Sequence, residues 1–140
     1  MRELDVQAEP GNIPEVIKFV RDSLDELDCG DKERNQIEVA VEEVFSNISS
    51  YAYEPGTGIA TVRVESCEDP SSVSICFIDS GIPYDPLAKA DPDVSKPLAE
   101  RQRGGLGIFL TKKFMDDISY EYSDGKNILT IKKLLSGRNG

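Results

Sequence analysis

Asp31-Lys-Glu-Arg-Asn-Gln-Ile37-Glu-Val-Ala40-Val41-Glu-Glu43-Val44-Phe-Ser-Asn47-Ile48-Ser-Ser50-Tyr51-Ala-Tyr53 repeats apolar residues with the period of a helix. Ile37, Val41, Val44 and Ile48 fall in one stripe, the face that such a helix lays on a core. Glu43 and Asn47 stand one turn apart on a shared side, about 100° round from that stripe, with Ala40 and Ser50 beside them. Pro55-Gly56-Thr-Gly58 ends the helix.

Outward from this run the other elements follow. Residues 2–7 alternate weakly, as an edge strand does. Asn12-Ile-Pro-Glu15 reads as a helix start with Asn12 as N-cap, and Val16, Ile17, Val20, Leu24 and Leu27 carry its apolar face to a stop at Gly30. Downstream, Ile59–Glu65 and Val73–Asp79 read as strands joined by the turn-rich Glu68-Asp-Pro-Ser-Ser72. A Pro-rich, charged stretch from Gly81 to Gly104 precedes a helix from about Gly105 to Met115. Ile118–Tyr122 and Asn127–Leu134 are the last strands, joined at the hairpin dipeptide Asp124-Gly125. The order β-α-α-β-β-loop-α-β-β predicts an α+β, two-layer sandwich. Its helices lie on one face of a mixed, mainly antiparallel sheet, in one domain over residues 1–140.

Composition narrows the function. The chain has 26 acidic and 16 basic residues, a net charge of −10, so polyanions such as nucleic acid and anionic membranes are repelled. With no His, Ser-His-Asp hydrolysis, His-ligated zinc and histidine autophosphorylation are excluded. The 3 cysteines, Cys29, Cys67 and Cys76, form no C-x-x-C pair and suggest neither zinc nor a disulfide framework. Cys67 and Cys76 read as small core or half-buried strand residues. Without a signal-like apolar segment or a run of transmembrane length, the expected location is cytoplasmic.

Four segments carry polar chemistry. Glu43-x-x-x-Asn47 offers a general base and an oxygen ligand for a metal, or simply a solvated helix face. Asp79-Ser-Gly81 closes a strand, either as an acceptor for a base amino group or as an ordinary Asx turn. Arg103-x-Gly105-x-Gly107 opens a helix whose free N–H groups favour an anion, or else serves as a hinge. It is neither a Walker A motif nor a dinucleotide fingerprint. Thr130 sits mid-strand, as a ligand-facing hydroxyl or a plain strand former.

In their order along the chain, Glu43-x-x-x-Asn47, Asp79-x-Gly81, Arg103-x-Gly105-x-Gly107 and Gly125-x-Asn-x-x-Thr130 resemble the sequence boxes of the GHKL ATPase superfamily, which includes gyrase B, MutL and the histidine kinases. Within it, Asn47-Ile-Ser-Ser-Tyr-Ala-Tyr53, Asp79-Ser-Gly-Ile-Pro-Tyr-Asp-Pro86 and Gly104-Gly-Leu-Gly-Ile-Phe-Leu110 resemble the anti-sigma factor serine/threonine kinases, over about residues 10–134. The resemblance implies a Bergerat-type sandwich that binds ATP and Mg²⁺ beneath a lid at about 82–103. Glu43 would be the base that activates a serine hydroxyl, and Asn47 would coordinate Mg²⁺. Asp79 would take the adenine amino group with Gly81 and Thr130 nearby. Gly105, Leu106 and Gly107 would cradle phosphates, and Arg103 would reach the γ-phosphate. The implied partners are an anti-sigma factor antagonist as substrate, a sigma factor, and a second copy in a homodimer.

The sequence departs from the family pattern at Pro83, where the D-x-G-x-G form has its second glycine, and at Tyr51, where several relatives carry His. Glu42 adjoins Glu43, but only Glu43 is a full turn from Asn47. The expected activity is an ATP-dependent serine/threonine protein kinase. The alternatives are a non-catalytic, nucleotide-sensing adaptor that sequesters a protein, and a detached histidine-kinase ATP domain acting in trans.

Overall fold

The computed structural model describes residues 1–27, 29–53, 58–68, 71–83, 85–88 and 105–135. Its strands are β1 (Arg2–Gln7), β2 (Ile59–Glu68), β3 (Ser71–Asp79), β4 (Asp117–Ser123) and β5 (Lys126–Leu134). Its helices are α1 (Ile13–Leu24), α2 (Asp31–Tyr51) and α3 (Gly105–Phe114), with single 3₁₀ turns at Pro10–Asn12 and Pro86–Ala88. The five strands form one sheet in the order β1-β2-β3-β5-β4. The expected α+β sandwich is thus present, with β1 at an edge.

Every neighbouring pair is antiparallel, which corrects the expectation of a mixed sheet. The crossover from β3 through α3 leaves β4 one place away, and the hairpin returns β5 into the gap. Strands running the same way therefore never become neighbours among the described residues. The hairpin forms because Asp124 and Gly125 both take left-handed backbone angles, φ 54° and 76°. That pairing matches the twist of the flanking strands.

Strand alternation divides the sheet into two faces. Val62, Phe77, Leu129 and Tyr120 form one cross-strand row, and Val64, Ile75, Ile131 and Ile118 the next. These rows meet Val16, Val20 and Leu24 of α1 and Ile37, Val41 and Val44 of α2 in a single core. The buried stripe of α2 is wider than its spacing predicts, since Ala40 and Phe45 are also fully buried. On the opposite face, Thr61 donates to Asp5 (2.6 Å) and Arg63 pairs with Glu3 (2.8 Å). Such exposed contacts contribute at most about 1 kcal/mol each, so the apolar face holds the sandwich together.

Three local expectations change. Asn12 flanks α1, but its Nδ2 reaches back to the Gln7 carbonyl (2.9 Å) and makes no side-chain cap. Gly30 does not stop α1, which ends at Leu24 and unwinds through short turns. Gly30 starts α2 instead, its N–H donating to Glu33 Oε1 (3.2 Å). Cys67 is exposed, because β2 runs beyond Val64 past the cover of the helices, whereas Cys29 is buried and Cys76 half-buried.

Candidate functional site

A cleft opens between α2 and the sheet. Helix α2 supplies one wall with Val44, Asn47, Ile48 and Ala52. Strands β3, β4 and β5 supply Phe77, Asp79, Tyr120, Asn127 and Leu129, and the segment after β3 adds Ile82 and Pro86. The lining is mostly apolar, with Asp79, Asn47 and Asn127 as its fixed polar points. A flat heteroaromatic ring with one donor edge suits such walls.

Asp79 is buried as the last residue of β3, between Ala60 on β2 and Asn127 on β5. Its Oδ1 accepts from Gly81 N (2.9 Å) and from Asn127 Nδ2 (2.9 Å). No described residue donates to Oδ2. A buried carboxylate needs such partners, and the free oxygen can accept a ligand donor. The Asx turn and the acceptor role, alternatives in the sequence, are both compatible with this one side chain.

The backbone near Asp79 is fixed by α2. A Cβ at Gly81 would lie 2.1 Å from the Ala52 carbonyl oxygen, so only glycine allows this approach. The next N–H, from Ile82, donates to that same oxygen (2.9 Å). Tyr53, just past the helix, donates its hydroxyl to Ile59 O (2.7 Å) and accepts from Ser80 N (2.7 Å). The end of α2 is thereby joined to the start of β2 and the end of β3.

Asn47 is buried on the cleft wall, and its Nδ2 has no partner among the described residues. A buried amide donor left open costs about 1–3 kcal/mol, so a polar ligand reaching it would recover that loss. Glu43, one turn earlier, is half-buried. Burial first, and then the neighbouring Glu42 charge, raise its carboxyl pKa above the ordinary value. A carboxylate so raised is a stronger base than a free one. Of the two, Asn47 lines the cleft, and Glu43 precedes it by one turn of α2.

Gly105, Leu106 and Gly107 form the first turn of α3, whose N–H groups lack intrahelical acceptors. This helix packs on α2. Arg103 lies outside the described residues, as does most of the expected lid. Of that lid, Ile82 and Pro86 form part of the cleft wall. Thr130 needs correction. It pairs with Cys76 and Ser119 on the face opposite Leu129, so strand alternation turns it away from the cleft. Asn127 occupies the position beside Asp79 instead. The signal was in the sequence: Asn127, Leu129 and Ile131 share a period of two.

Comparison with known proteins places this geometry in context. The histidine kinase-like ATPase domain family matches residues 6–133. The serine/threonine-protein kinase BtrW of Bordetella bronchiseptica is 33% identical over 70% of this chain and 68% of its own. The anti-sigma F factor of Caldanaerobacter subterraneus subsp. tengcongensis is 30% identical over 81% and 78%. The serine-protein kinase RsbW of Bacillus cereus is 30% identical over 69% and 61%. A chain in the crystal structure of the SiaB-SiaC complex from Pseudomonas aeruginosa shares the fold, with a TM-score of 0.53 and 21% identity over 94% of this chain and 89% of that one.

Proposed function

The chain belongs to the histidine kinase-like ATPase domain family, among the anti-sigma factor kinases, and on that premise we propose an ATP-dependent serine/threonine protein kinase that phosphorylates an anti-sigma factor antagonist and binds a sigma factor. One observation carries the reading: Asp79 and Asn47 line the same cleft, with Glu43 one turn before Asn47.

In this reading adenine enters between the apolar walls and its exocyclic amino group donates to Asp79 Oδ2. Ile48, Phe77 and Leu129 keep water from its ring. The first turn of α3, with Gly105, Leu106 and Gly107, receives the phosphates, and Arg103 meets the γ-phosphate. The partner's serine oxygen attacks the γ-phosphorus while the bond to ADP breaks, and Glu43 takes the hydroxyl proton.

The residues present fit a divalent ion held largely by its substrate. No cluster of three or more His, Cys, Asp or Glu suited to a metal occurs among the described residues. Asn47 is the residue that would hold Mg²⁺ beside the phosphates, through its Oδ1, which leaves the unpartnered Nδ2 to donate to a phosphate oxygen. Mg²⁺, when bound, supplies neutralisation of the phosphate charge. The same reading makes residues 1–140 one domain of a cytoplasmic homodimer.

The test is transfer of radiolabelled γ-phosphate to a co-encoded antagonist-type protein. Label on a serine is the expected result. ATP uptake without transfer would leave the nucleotide-sensing adaptor standing. Absence of uptake in calorimetry would end both readings.

A further inference from the structure

Asn127 is held on both sides of its amide. Its Nδ2 donates to Asp79 Oδ1 (2.9 Å) and to the Ile82 carbonyl (2.8 Å), and its Oδ1 accepts from the Tyr120 hydroxyl. Chemistry alone sets this orientation. A carboxylate and a carbonyl can only accept, so the NH₂ must face them. The oxygen must then face Tyr120, whose hydroxyl must donate. Turning the amide over would set its oxygen against two other acceptors in a buried site.

We propose that Asn127 and Tyr120 are positioning residues for base selection, with Tyr120 latching the Asn127 amide so that Asn127 aims the Asp79 carboxylate. The proposal rests on the cleft being the adenine site. With Oδ1 occupied by Asn127 and Gly81, Oδ2 is the oxygen left for a purine amino group. Released from Asn127, the carboxylate keeps only the Gly81 N–H on its own turn and can rotate. The Ile82 carbonyl is released with it. Ile82 lines the cleft too, so one amide aligns the recognising oxygen and the adjoining rim at Ile82. Tyr120, on β4, acts at one remove, through the register that sets it across from Leu129 on β5.

The probe is a pair of nucleotides, ATP and purine riboside triphosphate, which differ only in the 6-amino group. Wild-type protein is expected to prefer ATP about tenfold, the worth of one hydrogen bond to a buried charged group. Asn127→Leu, of similar size, should cut that preference to about twofold, and Tyr120→Phe to an intermediate value of about fourfold. The ratio separates aiming from mere support, because a general loosening of the fold weakens both nucleotides alike. An unchanged ratio in folded Asn127→Leu protein, or equal weakening of both nucleotides, overturns the proposal. Should Asn127→Leu not fold, the unchanged ratio in Tyr120→Phe overturns it instead. Wild-type protein that binds neither nucleotide sinks the adenine site itself, a failure visible before any variant is made.

Discussion

The two ends of the cleft differ in how completely their polar groups are satisfied. At the Asp79 end, a carboxylate, an amide, a phenol and two backbone groups are joined in one network that leaves only Asp79 Oδ2 open among these groups. At the Asn47 end, a buried amide donor has no partner, and Glu43 makes no hydrogen bond or ion pair among the described residues. A networked end is held in place before a ligand arrives and can select by shape and donor pattern. An open end can gain its partners from a ligand, as the proposed chemistry at Glu43 and Asn47 requires.

The contrast is broken most severely at Glu43. Glu43→Ala should lower phosphate transfer by about 10²–10⁴-fold, the usual worth of a positioned base, with ATP affinity nearly unchanged. Transfer assays beside calorimetry check this, and retained transfer would remove Glu43 from the role. Next comes Asn47→Ala, which should weaken Mg·ATP binding by about tenfold while leaving magnesium-free ATP binding less affected. Equal affinity in both conditions would deny Asn47 its metal.

At the networked end the expected effect is on the fold. Gly81→Ala forces a methyl group against the Ala52 carbonyl and should cost about 1–3 kcal/mol in denaturant unfolding. A variant as stable as wild type would show that this approach is looser than it looks.

The smallest effect sharpens the open end. Because the folded protein raises the Glu43 pKa, its charge opposes folding at neutral pH. Glu43→Gln should therefore melt slightly higher than wild type, by about 1 °C, at neutral pH. The gap should close as pH falls through the raised pKa towards the ordinary carboxylate value, where wild type too is neutral. Kinase activity, needing the ionised form, should fall over the same interval. A melting difference that grows in acid would contradict the sign.

Much of this was legible in the chain. The α2 stripe, the Asp124-Gly125 hairpin and the alternation of β3 each depend on neighbours within a few residues, and each appears where its pattern puts it. The pairing Glu43 with Asn47 follows from helical period alone. Long-range facts were less accessible. Gly81 is required by Ala52, a helix end that no local pattern connects to it. Alternation with Leu129 and Ile131 already separates Asn127 from Thr130 in the last strand, but the register against β3 is what sets Asn127 opposite Asp79. Gly30 follows a helix and precedes another, so its allegiance depended on where α1 unwound. Antiparallel pairing throughout came from the insertion of β5, a choice made by topology.

That insertion governs how the protein can be born. A ribosome delivers β3 long before β5, yet β5 is the strand that seals the free edge of β3 and brings Asn127 to Asp79. Until the last strand emerges, the nascent chain carries an exposed edge and an incomplete cleft. Completion of the sheet and completion of the cleft are thus a single late event.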